Sequence, residues 1–410
     1  MYMEKLVDEV GNEMDKEKKF FLQVLADYLN KRETVMPEAI NWDMLWEIAL
    51  SQQLTGVVYH QCKNGIARSD LPDAIKNRWK QGYKYYSLLY LKRLALLKQV
   101  DTAFQKANIS YLIFKGTELA KFYPAPAQRT MGDSDILVHE KDKQRASEVL
   151  VSLGFDINTS TPGEWIGQKN EMKIELHHRL IYGHNSVELK HLQAWGDKVW
   201  ENVAERKERV QKYLDLTYHM VYVLLHLRRH LLMEGIGFRQ FMDVAVLAAQ
   251  PGISWPQANL WLKELHLEKF SRVCFTLCKR WFDIKLPVKE VEIQEAFYNE
   301  TTEKIMSGGV FGYHGDDEKE QRENVVLNEA HFTQSSGTYS FFKRIFLPYN
   351  VMRGRPYCRF LNGRPYLLPI AWCWRCLYIL CTRNPVPYLK GAYDKETKRK
   401  KEEMLMKWGL

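Results

Sequence analysis

The chain is predicted to be a mixed α+β protein in which a small α/β core lies between helical regions. Apolar residues recur at three- and four-residue spacing as far as about residue 105 and again from residue 215, which is typical of amphipathic helices. Between residues 109 and 214, short apolar runs such as YLIF and DILV alternate with helical stretches. With 410 residues and 46% hydrophobic content, the chain is long enough to bury a core of two or three units.

This pattern divides the chain into four regions. We assign residues 1–105 to an N-terminal helical region, 106–214 to the α/β core, 215–300 to a second helical region, and 301–410 to a loop followed by aromatic and basic helices. The loop, at 307–323, contains several glycines. No strand precedes them and no Lys-Ser/Thr follows, so we interpret the segment as a connection and not as a phosphate-binding loop.

Composition favours a protein of the cytoplasm. Seven cysteines in 410 residues are too sparse for a disulfide framework, and Cys373-x-x-Cys376 lacks the second ligand pair of a zinc site. The N-terminus alternates acidic and basic residues, unlike a signal peptide. The longest apolar segment, residues 366–381, falls short of the ~20 residues that span a bilayer, so we expect no transmembrane segment. A formal net charge of +9 allows an anionic partner without selecting one.

Two aspartates one residue apart indicate a metal site. Asp135 begins the predicted strand segment DILV, and Asp133 lies two residues before it. Because side chains at i and i+2 of a strand share a face, the two aspartates would point to one side, and Ser134 and Ile136 to the other. Adjacent carboxylates repel unless a cation lies between them. Mg²⁺ accepts one or two carboxylates and completes its shell with water and phosphate oxygens, so Asp133 and Asp135 are predicted to hold Mg²⁺ or Mn²⁺.

A glycine turn upstream predicts a phosphate site beside that metal. The strand YLIF leads into Lys115-Gly116-Thr117 and then into the helical stretch TELAKFY. Gly116 would let the backbone approach a phosphate, the helix start would offer N–H groups, and Lys115 would add positive charge. Arg129, four residues before Asp133, is predicted to be a bidentate phosphate clamp.

The segment MKIELHHRL supplies a third carboxylate. In a strand, Ile174 would face the core, while Glu175 and His177 would share the opposite face with the preceding lysine. The turn-like residues 169–171 indicate that this strand returns from WIGQ as a hairpin. Glu175 is therefore the predicted third metal ligand or general base, and His177 a possible accessory residue or a structural histidine.

Together these residues resemble the nucleotidyltransferase superfamily of DNA polymerase β-like folds. They are most similar to a poorly characterised bacterial branch with the pattern K-G…R…D-x-D…E-L-H. The resemblance implies a polymerase β-like core with a small mixed sheet, flanked by N-terminal and C-terminal helical regions. It also implies transfer of a nucleoside monophosphate from an NTP to an acceptor, aided by two metal ions. Thr117 and Ser134 depart from the usual residues of the superfamily pattern.

Two alternatives stay open. A non-catalytic nucleotide- or nucleic-acid-binding regulatory protein with a decayed core would also bind NTP, but only the enzyme releases pyrophosphate. A third hypothesis places residues 366–381 at a membrane surface as an interfacial helix. For an enzyme, the acceptor is unknown. We favour a protein side chain or a small hydroxyl compound over nucleic acid, because basic residues are dispersed among acidic ones and no RNA-binding motif is present.

A helical stripe of histidines completes the candidates. His226 and His230 have the i, i+4 spacing of a zinc pair, but the intervening residues include no glutamate. We therefore expect histidines that are hydrogen-bonded beside the nucleotide cleft, with His219 on the same stripe. Arg239 and Asp243, also four residues apart, are expected to form an ion pair.

Overall fold

The computed structural model describes most of the chain. The described ranges are 15–160, 163–182, 187–204, 210–233, 235–310, 346–347, 349–353, 356–382 and 395–410. The loop predicted at 307–323 lies mostly outside them. Its first two residues, Ser307 and Gly308, end a helix.

In the described residues before β1 there are four helices, as the apolar periodicity predicts. They are α1 (Lys16–Leu29), α2 (Trp42–Ser51), α3 (Thr55–Arg68) and the 34-residue α4 (Asp73–Lys106). The start of α2 is capped by Asn41, whose side-chain oxygen accepts hydrogen bonds from the backbone N–H groups of Asp43 and Met44.

The sheet contains parallel and antiparallel pairs. Its strands are β1 (Tyr111–Phe114), β2 (Asp133–Val138), β3 (Asp156–Asn158), β4 (Glu164–Lys169), β5 (Met172–His177), β6 (Val203–Ala204) and β7 (Gln211–Leu214), in the order β3-β4-β5-β2-β1-β7-β6. β2 lies at the centre, antiparallel to β1 and parallel to β5. The predicted hairpin is present: β4 and β5 are antiparallel, and Asn170 in the turn between them has a φ of 52°.

Within the α/β region, short helices connect the strands. α5 (Gly116–Leu119) directly follows β1, α6 (Lys143–Ser152) follows β2, and α7 (Val187–Asp197) follows β5. α5 is a single turn, shorter than the predicted TELAKFY helix, and continues into a 3₁₀ turn at Ala120–Phe122.

Helices return after β7. They are α8 (Leu216–Met233), α9 (Phe238–Ala248), α10 (Trp255–Glu264), α11 (Glu268–Phe282), α12 (Glu295–Gly308), α13 (Tyr349–Met352), α14 (Leu368–Thr382) and α15 (Lys395–Trp408). The predicted mixed α+β class is therefore confirmed. In the part of the chain that the structure describes, no helix combines the length and the apolarity needed to cross a bilayer.

The two faces of the sheet pack against different partners. Leu112, Phe114 and Leu137 join a large core formed with helices from both before and after the sheet. Ile136 and Ile174, on the opposite face, pack against the C-terminal half of α4 and against α6 in a second core. Phe114 and the predicted carboxylates project from the same face of the sheet. The carboxylates therefore lie where the sheet meets the flanking helices.

Candidate functional site

Strand register brings the predicted carboxylates together. Asp135 of β2 lies directly opposite Glu175 of β5, and Asp133 lies opposite Lys173. On the other side of β2, Phe114 pairs with Asp135. Because the period of a strand is two, Asp133, Asp135 and Glu175 all project from one face.

Lys115 is aimed at this face by an unusual backbone conformation. It follows β1 with φ 53° and ψ −131°, a left-handed region that side-chain-bearing residues seldom occupy. From this turn its Nζ reaches 2.5 Å from Asp135 Oδ1. Its ammonium neutralises the buried aspartate, and the predicted contact of Lys115 with a triphosphate stays a prediction.

His177 joins the two central carboxylates. Its Nε2 lies 3.1 Å from Asp135 Oδ1 and 3.6 Å from Glu175 Oε2, and Phe114 contacts the ring edge-to-face. Potential ligand atoms of Asp135, Glu175 and His177 all lie within 4.8 Å of one another. Asp133 is not a member of this cluster, and 38% of its side chain is exposed, against 5% for Asp135.

Burial and neighbouring charges separate the protonation behaviour of the two aspartates. Burial raises the pKa of Asp133, and the nearby carboxylates of Asp135 and Glu175 raise it further. Burial also opposes ionisation of Asp135, but Lys115 and His177 outweigh it and lower the pKa of that carboxyl. Asp135 is thus an anion within the fold, whereas Asp133 binds a proton more readily.

Glu175 and His177 stabilise each other's charged forms. Burial would raise the pKa of Glu175, but hydrogen bonds from His177 and Lys173 lower it strongly. Burial would lower the pKa of His177, but its contacts with Asp135 and Glu175 raise it. In these surroundings Glu175 is an anion, and a base role would require release of its contacts with His177 and Lys173. Both roles that the sequence left open for Glu175, metal ligand and general base, stay predictions.

Arg129, the predicted phosphate clamp, is paired with a buried aspartate. Its Nε and Nη2 lie 3.1 and 2.6 Å from the two carboxylate oxygens of Asp243, so the bidentate edge of the guanidinium is already paired. A β-carbon at residue 116 would collide with Arg129 Nη1. The close approach that Gly116 permits is therefore the approach of this buried arginine beneath the turn.

The expected ion pair between Arg239 and Asp243 is replaced by other contacts. Asp243 pairs with Arg129, while Arg239 Nη1 donates to Gln53 Oε1 and to Thr130 O. Tyr123 donates a further hydrogen bond to Asp243 Oδ1 at 2.7 Å. The i, i+4 spacing on α9 was misleading because Asp243 finds its partner 114 residues away.

The opposite side of the Asp-x-Asp motif is fixed by an arginine that sequence reasoning missed. Ser134 points away from the carboxylates, as expected, and accepts a hydrogen bond from Arg93 Nη1 at 2.9 Å. Arg93 also donates to Met131 O. Thr117 Oγ1 lies 3.3 Å from Ser134 Oγ, so its hydroxyl is on this supporting side. The available signal was a basic residue in the apolar stripe of α4, where Arg93 is buried.

The histidine stripe on α8 lies beside the site. His226 Nε2 and His230 Nε2 are 2.8 Å apart, a hydrogen bond as expected, and Tyr222 packs between His226 and Phe114. Burial, Lys115 and His230 lower the pKa of His226. Burial raises the pKa of Tyr222 to about 12, against the opposing effect of Lys115. Tyr222 and His226 therefore form an uncharged wall next to the Lys115–Asp135 pair.

The donor set fits a hard divalent cation. Asp135 and Glu175 supply carboxylate oxygens from neighbouring strands at the spacing of shared ligands. His177 faces both carboxylates with Nε2, while its Nδ1 lies 3.7 Å from Glu164 Oε2. Lys115 neutralises Asp135, and Lys173 neutralises Glu175. The site therefore combines ligands for a cation with ammonium groups suited to phosphate.

Comparison with known proteins places this chain at the level of a family. Neither among curated proteins nor among solved structures was a significant match to the chain found. The model of one protein family matches residues 38–283, which is more than half of the chain and includes the whole sheet with both aspartates and Glu175. The chain therefore belongs to the family described as uncharacterised nucleotidyltransferase.

Proposed function

We propose that this protein is a metal-dependent nucleotidyltransferase that transfers a nucleoside monophosphate from an NTP to a hydroxyl-bearing acceptor. The observation that carries the proposal is the register of β2 and β5, which aligns Asp135 with Glu175 and leaves Asp133 at the open edge of the same face. Family membership supports nucleotidyl transfer in general. The metal, the nucleotide and the acceptor are the proposed part.

In this scheme Asp135 and Glu175 hold Mg²⁺ or Mn²⁺, with Asp133 as the more exposed carboxylate facing the substrate. A cation there would offset negative charge on the α-phosphate and on the departing pyrophosphate. One P–O bond forms between the acceptor oxygen and the α-phosphorus, and the bond between the α-phosphorus and the oxygen that bridges to the β-phosphate breaks. Pyrophosphate leaves, and the proton of the acceptor hydroxyl passes to solvent. Lys115 supplies positive charge next to Asp135 for the phosphates.

Arg129 takes a supporting role in this proposal. Its paired N–H groups face Asp243 and its remaining terminal nitrogen lies against Gly116, so it holds the turn that presents Lys115. Thr117 and the Arg93–Ser134 contact brace the start of β2 from behind. We treat these four residues as positioning residues. Phosphate contact is assigned to Lys115 and to the backbone of the Gly116 turn.

The acceptor that we favour is a protein side chain or a small hydroxyl compound. The densest basic run, at 398–401, is followed immediately by Glu402 and Glu403, so its charge is largely offset. A nucleic-acid acceptor held through several phosphates would show steep salt dependence, with a log–log slope of about −0.7 per contact on single strands. Shallow salt dependence would support the smaller acceptors.

The proposal is tested by incubating purified protein with each α-³²P-labelled NTP, Mg²⁺ and cell extract, and then fractionating protein, RNA and small molecules. Pyrophosphate release with label on protein or on a small molecule is expected, and the Asp133→Asn/Asp135→Asn variant should show neither. Label on RNA would refute the acceptor preference. NTP binding without pyrophosphate release from any extract would favour the non-catalytic regulatory alternative.

A further inference from the structure

Lys173 occupies a position on the carboxylate face to which the scheme above gives no role. It lies on β5 directly opposite Asp133, and its side chain extends between the carboxylates of two adjacent strands. Its Nζ is 2.5 Å from Glu175 Oε1 and 3.8 Å from Asp133 Oδ2. An ammonium group thus lies at the oxygens that a bound cation would use.

The contacts of Glu175 show that this ammonium and a metal would compete. One oxygen, Oε1, is paired with Lys173, while the other, Oε2, lies 3.6 Å from His177 Nε2. A cation bound by Glu175 through Oε1 must therefore displace Lys173. Removing the lysine without replacing its charge would leave Glu175 and Asp133 as like charges that repel each other.

Lys173 is also better placed to move than Lys115. The Lys115 side chain is 16% exposed and leaves a constrained turn, whereas 32% of the Lys173 side chain is exposed. A lysine stem has four rotatable bonds and carries a compact ammonium that binds phosphate as a point charge. Asp133, its second partner, is on the open side of the site. Displacement would therefore carry the ammonium toward solvent, where a triphosphate must enter.

We propose that Lys173 is an exchangeable counter-charge: its ammonium neutralises Glu175 and Asp133 in the metal-free protein, and it transfers to the triphosphate when the metal–NTP complex binds. The proposal has two parts. Its nucleotide half, the contact of Lys173 with the triphosphate, rests on the proposed function. Its metal half, the competition of Lys173 with a metal, depends only on the contacts of Lys173, Glu175 and Asp133. Lys173 is thereby assigned as a residue that binds NTP and also lowers the affinity of the empty site for free metal.

The chain offers a matched control. Lys92 also lies 2.5 Å from a glutamate, Glu171, but that pair is at the β4–β5 turn and both side chains are exposed. Lys92→Met and Lys173→Met therefore remove the same charge and the same type of ion pair, one away from the carboxylate face and one on it. Lys173→Arg retains the charge, and matching melting temperatures would verify that all variants are folded.

Electron paramagnetic resonance of free Mn²⁺ measures the metal half. Lys173→Met should bind Mn²⁺ alone several-fold more tightly than wild type, whereas Lys92→Met should be unchanged. Calorimetry with Mn²⁺ and ATP, GTP, CTP and UTP in turn measures the nucleotide half. Lys173→Met should lose about tenfold or more in affinity for whichever NTP binds wild type, and Lys173→Arg should recover most of that loss.

Unchanged or weaker Mn²⁺ binding by Lys173→Met would overturn the proposal. So would a gain in Mn²⁺ affinity with no loss of NTP affinity, because the charge would then not be exchanged. If wild type binds none of the four NTPs, the proposed function itself fails. If wild type binds an NTP and Lys173→Met matches it in both measurements, only the role of Lys173 fails.

Discussion

Asp135 and Glu175 are direct partners in the parallel ladder between β2 and β5, and His177 lies within 3.6 Å of both carboxylates. Carboxylates in adjacent strands would repel each other without neighbouring cations. Here Lys115 and Lys173 each lie 2.5 Å from one of them. The site is thus electrostatically balanced within the folded chain, and a metal must compete with internal cations.

Asp135→Asn should weaken Mn²⁺ binding more than Asp133→Asn. Asp135 belongs to the buried ligand cluster with Glu175 and His177, whereas Asp133 lies at its open edge. Losing a ligand should cost at least the ~10–100-fold that is typical of losing a residue that only supports one. Mn²⁺ titration by electron paramagnetic resonance compares the two variants. An equal or larger loss in Asp133→Asn would show that the ligand set is centred on the other aspartate.

Breaking the Arg129–Asp243 pair should destabilise the fold. Both side chains are buried, and removal of either partner leaves an uncompensated charge, at a typical cost of ~3–5 kcal/mol. Arg129→Met and Asp243→Ala should each lower the free energy of unfolding in urea, and Arg129→Met/Asp243→Leu should recover part of it. Arg272→Met, which loses an exposed pair with Glu268, should cost no more than ~1 kcal/mol.

A different result would restore the phosphate role of Arg129. If Arg129→Met retained wild-type stability while losing NTP affinity, the guanidinium would act on the nucleotide and not on the turn. Thermal melting and calorimetry of the same preparation separate the two outcomes.

The backbone at Lys115 should favour glycine over alanine. Lys115→Gly and Lys115→Ala both remove the ammonium, but only alanine retains the unfavourable left-handed conformation at φ 53°. Such residues cost of order 1–3 kcal/mol, so the glycine variant should be the more stable by about that amount. At most positions the preference is reversed, with glycine ~0.5–1 kcal/mol less stable. Higher stability of Lys115→Ala in urea unfolding would mean that the turn is relaxed.

His219 should make the protein sensitive to mild acid. Burial lowers the pKa of His219 to about 4 from 6.5 in the unfolded chain. Below pH 6.5 the unfolded chain therefore binds more protons, and stability falls until the pH passes through about 4, by ~3 kcal/mol in all. The free energy of unfolding should fall less steeply from pH 7 to pH 4 in His219→Gln than in wild type.

The control for His219 is a histidine at the surface. His191 is exposed and contacts the carbonyl of Glu264. His191→Gln therefore serves as the control for replacing a histidine by glutamine. Equal slopes for wild type and His219→Gln would show that His219 is hydrated or paired in the folded protein.

Local pattern predicted the elements of the site well. The alternation in DSDILV and MKIELH and the turn at Asn170 are short-range features, and they produced the strands, the hairpin and the shared face of Asp135 and Glu175. The Lys115-Gly116 turn after β1 followed from the same kind of evidence.

Side-chain contacts between segments far apart in the sequence could not be predicted from local residue spacing. Arg129 and Asp243 are 114 residues apart, and Arg93 and Ser134 are 41 apart, so no spacing rule connects them. The i, i+4 rule favoured Arg239 for Asp243 because a helix face suggests only local partners. Lys173 was placed on the correct face, but its contact with Glu175 depends on where two long side chains end, which alternation does not determine.

The central claim is that the Asp133–Asp135 strand binds NTP through a divalent cation. Calorimetric titration of NTP in Mg²⁺ and in EDTA tests it directly, with wild type, Asp133→Asn/Asp135→Asn and, as a control away from the face, Glu171→Gln. We predict that Mg²⁺ strengthens NTP binding in wild type and in Glu171→Gln, and that this effect is absent from the double variant. A double variant that is folded and retains the wild-type metal dependence would contradict the account.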